Sequence, residues 1–136
     1  GGDHGIRMAE AYLNRAEALT RRFMTKGDEN DRVQALNDLN TLRETRYVAG
    51  TYVDEEITNA QDLLDFCVNE RRLELCMEEG FRWFDIKRFG LSVTHRYIDS
   101  EGTEREYVLE SNSLLYALPI PYDAMERNYK LKQNPR

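Results

Sequence analysis

Asn69–Gly90, NERRLELCMEEGFRWFDIKRFG, is the stretch whose reading decides the fold. Ala60, Leu63, Leu64, Phe66, Cys67, Leu73, Leu75 and Met77 recur at helical spacing, which predicts a long helix from Ala60 to Met77. At about 100° per residue those positions cover more than half of the helix circumference. That predicts an enclosed helix rather than one lying on a surface. Glu70, Arg71, Glu74 and Glu78 fall inside the apolar arc, whereas Asn69, Arg72 and Glu79 lie at its edges or outside it. Charges on a buried face need partners, because a lone buried ion is expensive. Arg71 precedes Glu74 by three residues, within reach on a helix. Arg82 and Arg88 are candidate partners for Glu70 or Glu78. Gly80 ends the helix, and Phe81, Trp83, Phe84, Ile86 and Phe89 follow as a dense aromatic cluster. The reading is a structural ion cluster of Glu70, Arg71, Glu74, Glu78, Arg82 and Arg88, wrapped in aromatic rings.

Glutamates at helical spacing also suit the acid and base of a glycosidase. Here, however, they are interleaved with arginines in an apolar surround, where structural networks mimic perturbed sites. No catalytic residue is assigned.

The run ERRLELCMEEGFRWFDIKRFG closely resembles the signature of the SusD/RagB family, surface-exposed nutrient-binding lipoproteins of Bacteroidetes. RMAEAYLNRAEAL (Arg7 to Leu19) resembles the helical-repeat segment of that family, and YALPIPYDAMERNYKLKQNPR (Tyr116 to Arg136) resembles its C-terminal ending. These matches keep the family's order and span nearly the whole chain. Phe89 departs from the Trp or Tyr frequent in members, which conserves an aromatic ring.

A chain of 136 residues is long enough to bury a core. Charged residues at 32% and hydrophobic ones at 40% are ordinary for a folded domain. The net charge of −6 argues against a nucleic-acid partner, since a phosphate-binding domain carries a basic excess. No apolar run reaches the roughly eighteen residues that span a bilayer. Cys67 and Cys76, nine residues apart on one expected helix, would lie about 13 Å apart. A disulfide reaches about 7 Å between Cα atoms, so both are read as unpaired core thiols. His4 and His95 have no cysteine near them in sequence, and the sequence assigns no metal and no cofactor.

Gly1, Gly2 and Gly5 around Asp3 and His4 read as a lead-in. A helix is expected from Ile6 to about Thr25, with Ala9, Tyr12, Leu13, Ala16, Leu19 and Phe23 on one stripe. Gly27 is its expected stop, and Asp28 or Asn30 caps the next helix. That helix is expected over Asp31 to Arg46, with Val33, Ala35, Leu36, Leu39 and Leu42 inward. So short a loop implies an antiparallel helical hairpin over 6–46. Asn14, Asn37 and Asn40 either make interhelical hydrogen bonds or face water. Tyr47 to Thr58 is a loop, and Thr58 or Asn59 caps the central helix of the 59–90 segment. After Gly90 the period alternates: Ser92–Ile98 and Thr103–Glu110 flank Asp99-Ser100-Glu101-Gly102, which predicts a β-hairpin. Its acidic turn lacks a full calcium ligand set. Pro119 and Pro121 hold Leu114–Ile120 extended. The 91–136 segment then ends in an irregular tail anchored by Tyr116, Tyr122 and Tyr129, with a single helical turn expected over Tyr122–Asn128.

The expected fold is therefore mainly α: a SusD-like arrangement with a tetratricopeptide-type helical hairpin, a long central helix, a small β-hairpin and an irregular tail. Family members are several times longer, so the resemblance implies that residues 1–136 are the C-terminal portion of such a protein. It further implies non-catalytic capture of nutrient, chiefly oligosaccharide, at the bacterial outer-membrane surface, lipid-anchored through the preceding N-terminus. The implied partner is a SusC-type TonB-dependent transporter, with the main ligand site in the N-terminal portion. Ligand-contact candidates here are Tyr97, Tyr107 and Trp83. The competing reading is a helical-repeat adaptor binding a protein segment, supported by the Arg7–Arg46 hairpin alone.

Overall fold

The computed structural model describes residues 7–78 and 80–135. The lead-in expected over Gly1–Gly5, His4, Glu79 and Arg136 lie outside the described residues. The chain divides into two compact units that meet between Glu78 and Glu79.

The first unit is helical: α1 (Met8–Lys26), α2 (Glu29–Glu44) and α3 (Ala60–Glu74). Gly27 ends α1 at φ +70, its N–H donating to the Phe23 carbonyl at 2.8 Å. Asp28 then caps α2 by accepting from the Asn30 N–H at 2.9 Å. Helices α1 and α2 run antiparallel, since Arg15 pairs with Asp38 and Arg22 with Asp31. Ala16 and Ala35 are both fully buried, and side chains this small let the backbones approach closely. Leu13, Leu36, Leu39 and Leu42 fill the seam around them, each such burial being worth about 1.5–3 kcal/mol. Val33, expected inward, is 55% exposed. It shares the solvent side of α2 with Asn37, which faces water as one of the expected alternatives.

Helix α3 packs on α1 through Leu63 and Cys67, with Thr20 Oγ1 3.4 Å from Cys67 Sγ. Asn59 caps it twice, accepting from Gln61 and Asp62 N–H. The helix stops at Glu74 rather than continuing to Met77, and the left-handed residue in the turn is Met77 (φ 65), not Gly80. Ending early removes Met77 from the apolar arc. Cys76 is exposed, Met77 is 99% exposed and Leu73 60% exposed, so within this unit α3 buries one face rather than being enclosed. The two thiols are free, as their spacing implied, but only Cys67 is a core thiol.

The second unit holds α4 (Phe81–Phe89), β1 (Val93–Ile98), β2 (Glu104–Leu109), a 3-10 turn at Leu114–Tyr116 and α5 (Tyr122–Arg127). Gly90 caps α4 at φ +62, where an added Cβ would collide with the Asn112 side chain. Strands β1 and β2 pair antiparallel, His95 opposite Tyr107 and Tyr97 opposite Arg105. Asp99 builds the connecting turn with its own side chain, accepting from Glu101 N–H at 2.9 Å and Thr103 N–H at 3.0 Å. It also accepts from Arg105 Nε at 2.7 Å, and this bond holds its carboxyl below the usual carboxylate range. The hairpin is rooted by Tyr116, whose hydroxyl donates to the Leu91 carbonyl at 2.6 Å and accepts from Asn112 N–H at 2.9 Å.

Tyr116 is the tail anchor that was expected, at 7% exposure. Tyr122 and Tyr129 are not, at 75% and 88%. The tail is held instead by amide side chains. Gln133 accepts from Ile120 N–H at 2.7 Å and donates to its carbonyl at 3.0 Å, while Asn134 donates to the Leu118 carbonyl at 2.6 Å. The prolines leave those backbone groups in extended chain, and the amides satisfy them as a neighbouring strand would.

Candidate functional site

In the helical unit the acids of α3 are met by arginines from other elements. Glu70 is bound by Arg43 of α2. Glu74 accepts from Arg7 at 2.7 Å and from Arg46 Nε at 2.9 Å, and Glu78 is bound by Arg7. The Arg46 hydrogen bond holds the Glu74 carboxyl below its ordinary range. Arg71 is buried and donates to Asn14 Oδ1 on α1 at 2.9 Å. In the second unit Arg88 pairs with Asp85 of its own helix at 3.0 Å, and Arg82 is exposed.

Arg43 is the residue that sequence reasoning missed. Its guanidinium carbon lies 5.2 Å from the Phe66 ring centroid, 5.7 Å from that of Tyr47 and 5.8 Å from that of Tyr52. It donates to the Tyr47 hydroxyl at 2.9 Å and lies 3.5 Å from Glu55. Cation–π attraction of this kind grows when the cation is desolvated, and Arg43 is only 18% exposed in its side chain. The one sequence signal was a tyrosine one helical turn after it. Beside it, Asn40 accepts from the Tyr52 hydroxyl at 2.7 Å and from Glu55 N–H at 3.0 Å, and donates to the Glu55 carbonyl at 3.2 Å. Together these contacts strap the 47–59 loop onto α2. A cavity of about 330 Å³ opens beside Arg43, between Leu42, Arg46, Glu70, Leu73 and Glu74. Both of its carboxylates are already engaged by guanidiniums, Glu70 by Arg43 and Glu74 by Arg46.

Of the ligand-contact candidates, Tyr97 and Tyr107 come together and Trp83 does not join them. Pairing puts the two tyrosines diagonally on one face of the hairpin. Their rings lie within 3° of parallel, centroids 5.4 Å apart, with the hydroxyl oxygens 3.3 Å apart. Tyr107 is 64% exposed. Trp83 packs edge-on against Tyr116, centroids 6.5 Å apart at 81°, a packing role. Among the described residues no group of three or more His, Cys, Asp or Glu side chains could hold a metal ion. No described helix is long and apolar enough to cross a membrane.

Comparison with known proteins gives a consistent result. The model of the SusD family matches residues 4–136. A SusD-like protein P38 of Formosa agariphila is 36% identical over 90 residues, covering 65% of this chain and 17% of the relative. The starch-binding protein SusD of Bacteroides thetaiotaomicron is 33% identical over 130 residues, covering 95% of this chain and 20% of the relative. A SusD-like protein of Bacteroides fragilis, solved by crystallography, superposes with a TM-score of 0.56 at 27% identity, over 95% of this chain and 25% of that one. The chain thus spans about a fifth of the length of the curated relatives it matches.

Proposed function

The chain belongs to the SusD family, and from that premise we propose that it serves capture of oligosaccharide at the bacterial outer-membrane surface, binding without bond cleavage. In this reading residues 1–136 form the C-terminal portion of a longer, lipid-anchored protein that delivers its ligand to a SusC-type TonB-dependent transporter. The observation that carries it is the similarity to a starch-binding protein over 95% of this chain. The geometry supports binding over hydrolysis: Glu70, Glu74 and Glu78, the carboxylates suited by spacing to acid and base, are each held by arginine. The principal ligand site falls outside these residues, with Tyr97 and Tyr107 as contributors and Trp83 as packing. The adaptor reading leaves the stacked tyrosines without a purpose. The test is a glycan array on the full-length protein beside a reducing-sugar assay. Glycan capture without release of reducing ends is expected, and sustained release would end the non-catalytic reading.

A further inference from the structure

We infer that the Tyr97–Tyr107 face of the hairpin is a contact site for one neutral pyranose ring, an inference that rests on the glycan-capture reading and deepens it. The site is made by strand register. His95 faces Tyr107 and Tyr97 faces Arg105, so one diagonal carries the two rings and the other an imidazole and a guanidinium. Parallel rings with centroids 5.4 Å apart are offset rather than eclipsed. Tyr107, covered on one side by Tyr97, is still 64% exposed and offers its other side to solvent. The neighbouring ring and the contact between the hydroxyl oxygens at 3.3 Å hold it in place before any ligand arrives. A preset ring loses little freedom on binding.

A pyranose is complementary to such a face. Its apolar C–H side covers an aromatic ring, and its hydroxyl rim meets the tyrosine hydroxyls and His95, a mainly aromatic surface with few polar groups. Charge then selects among sugars. Arg105 is already bonded to Asp99 at 2.7 Å, and Arg96 on the other face to Glu106 at 3.3 Å. Glu101 is exposed in the turn at the end of this face, and Glu104 lies on the other face with Arg96. A uronate or sulfate would find the one arginine of this face already paired and an exposed acid at the turn, whereas a neutral ring meets neither penalty.

The test titrates the full-length protein calorimetrically with maltoheptaose, xylohexaose and an oligogalacturonate, as wild type and as Tyr107→Ala, Tyr107→Phe and Trp83→Phe. For a neutral oligosaccharide that binds, Tyr107→Ala is expected to weaken affinity about tenfold, the loss of one aromatic stacking contact. Tyr107→Phe is expected to stay within about twofold, the size of a weak polar contact to solvent-exposed hydroxyls. Trp83→Phe is expected to bind like wild type. Circular dichroism checks that each variant is folded, and ring-carbon NMR shifts of Tyr107 in the wild type give a second readout without substitution. Neutral-sugar binding left unchanged by Tyr107→Ala, with no ring shift, overturns this inference alone. Tight binding of oligogalacturonate lost in Tyr107→Ala overturns the neutral class. Wild-type protein that binds no member of the panel overturns the capture reading and this inference with it.

Discussion

Arg15 of α1 grips Asp38 of α2 with two parallel hydrogen bonds, Nε to Oδ2 at 2.7 Å and Nη2 to Oδ1 at 2.6 Å. Seven residues on along α1 and seven back along α2, Arg22 grips Asp31 in the same way. Both aspartates are buried while both arginines reach in from the exposed side. Fork-to-carboxylate geometry is the strong form of this interaction and fixes orientation as well as proximity. The repeat therefore sets the register of the hairpin in a way that its alanines and leucines alone do not.

Acid should loosen this hairpin. The Arg22 hydrogen bond holds the Asp31 carboxyl below its ordinary value. A depressed native pKa contributes stability that is present above the unfolded value, about 3.9 for Asp, and is lost as pH falls through the native one. Thermal midpoints measured from pH 6 down to pH 2 should fall less steeply for Asp31→Asn than for wild type, although the variant starts lower. Parallel curves would show that Asp31 contributes nothing to the pH dependence.

Arg43→Ala should be among the most damaging single changes in the helical unit. It strands Glu70, whose side chain is 11% exposed, and empties the centre of the Tyr47, Tyr52 and Phe66 rings. We expect a loss of about 3 kcal/mol in urea denaturation, the lower end for breaking a buried pair because the pair is not fully dry. Arg43→Met combined with Glu70→Leu should recover most of that. A double variant no more stable than Arg43→Ala would place the damage in the lost ring contacts rather than the stranded charge.

Arg71 and Arg72 are neighbours with opposite surroundings. Arg71 is buried and bonded to Asn14, and Arg72 is exposed. Arg71→Ala should lower the thermal midpoint sharply, whereas Arg72→Ala should shift stability by no more than about 0.5 kcal/mol, as surface substitutions do. Equal effects would mean that α3 presents its faces the other way.

The thiols offer a readout of the same unit. Burial pushes the Cys67 thiol up to about 11, whereas Cys76 is exposed in the turn after α3. Thiolate is the reactive form, so a disulfide reagent should modify one thiol at once at neutral pH and the second only on unfolding. Two equally fast reactions, read by mass spectrometry of peptides, would contradict the packing of α3 on α1.

Local chemistry was legible in the sequence, and long-range partner choice was not. Gly27 with Asp28 marked the turn between α1 and α2, and Asp99 to Gly102 marked the hairpin, because turn residues act through their own backbone. Glu70 and Glu74, on an apolar helix face, need cations by sequence alone. Their observed partners, Arg43, Arg46 and Arg7, come from elements that only tertiary packing brings near. Leu75 and Met77 continue the apolar period past Glu74 in sequence, although the chain has by then left the helix. Tyr122 and Tyr129 read as anchors by ring size, but the backbone groups of the extended tail needed amides, which Gln133 and Asn134 supply. Tyr97 and Tyr107 were legible as ligand-contact candidates on the two strands of a hairpin, whereas their stacking depended on register and side-chain geometry together.

In the proposed function oligosaccharide is captured by the protein as a whole, with this chain contributing a subsidiary contact. The direct measurement is calorimetric titration of the full-length protein and of residues 1–136 with the same neutral oligosaccharides. Clear binding by the full-length protein and much weaker binding by residues 1–136 alone are expected. No binding by the full-length protein would contradict capture, and equal affinity in the two would contradict a principal site outside these residues.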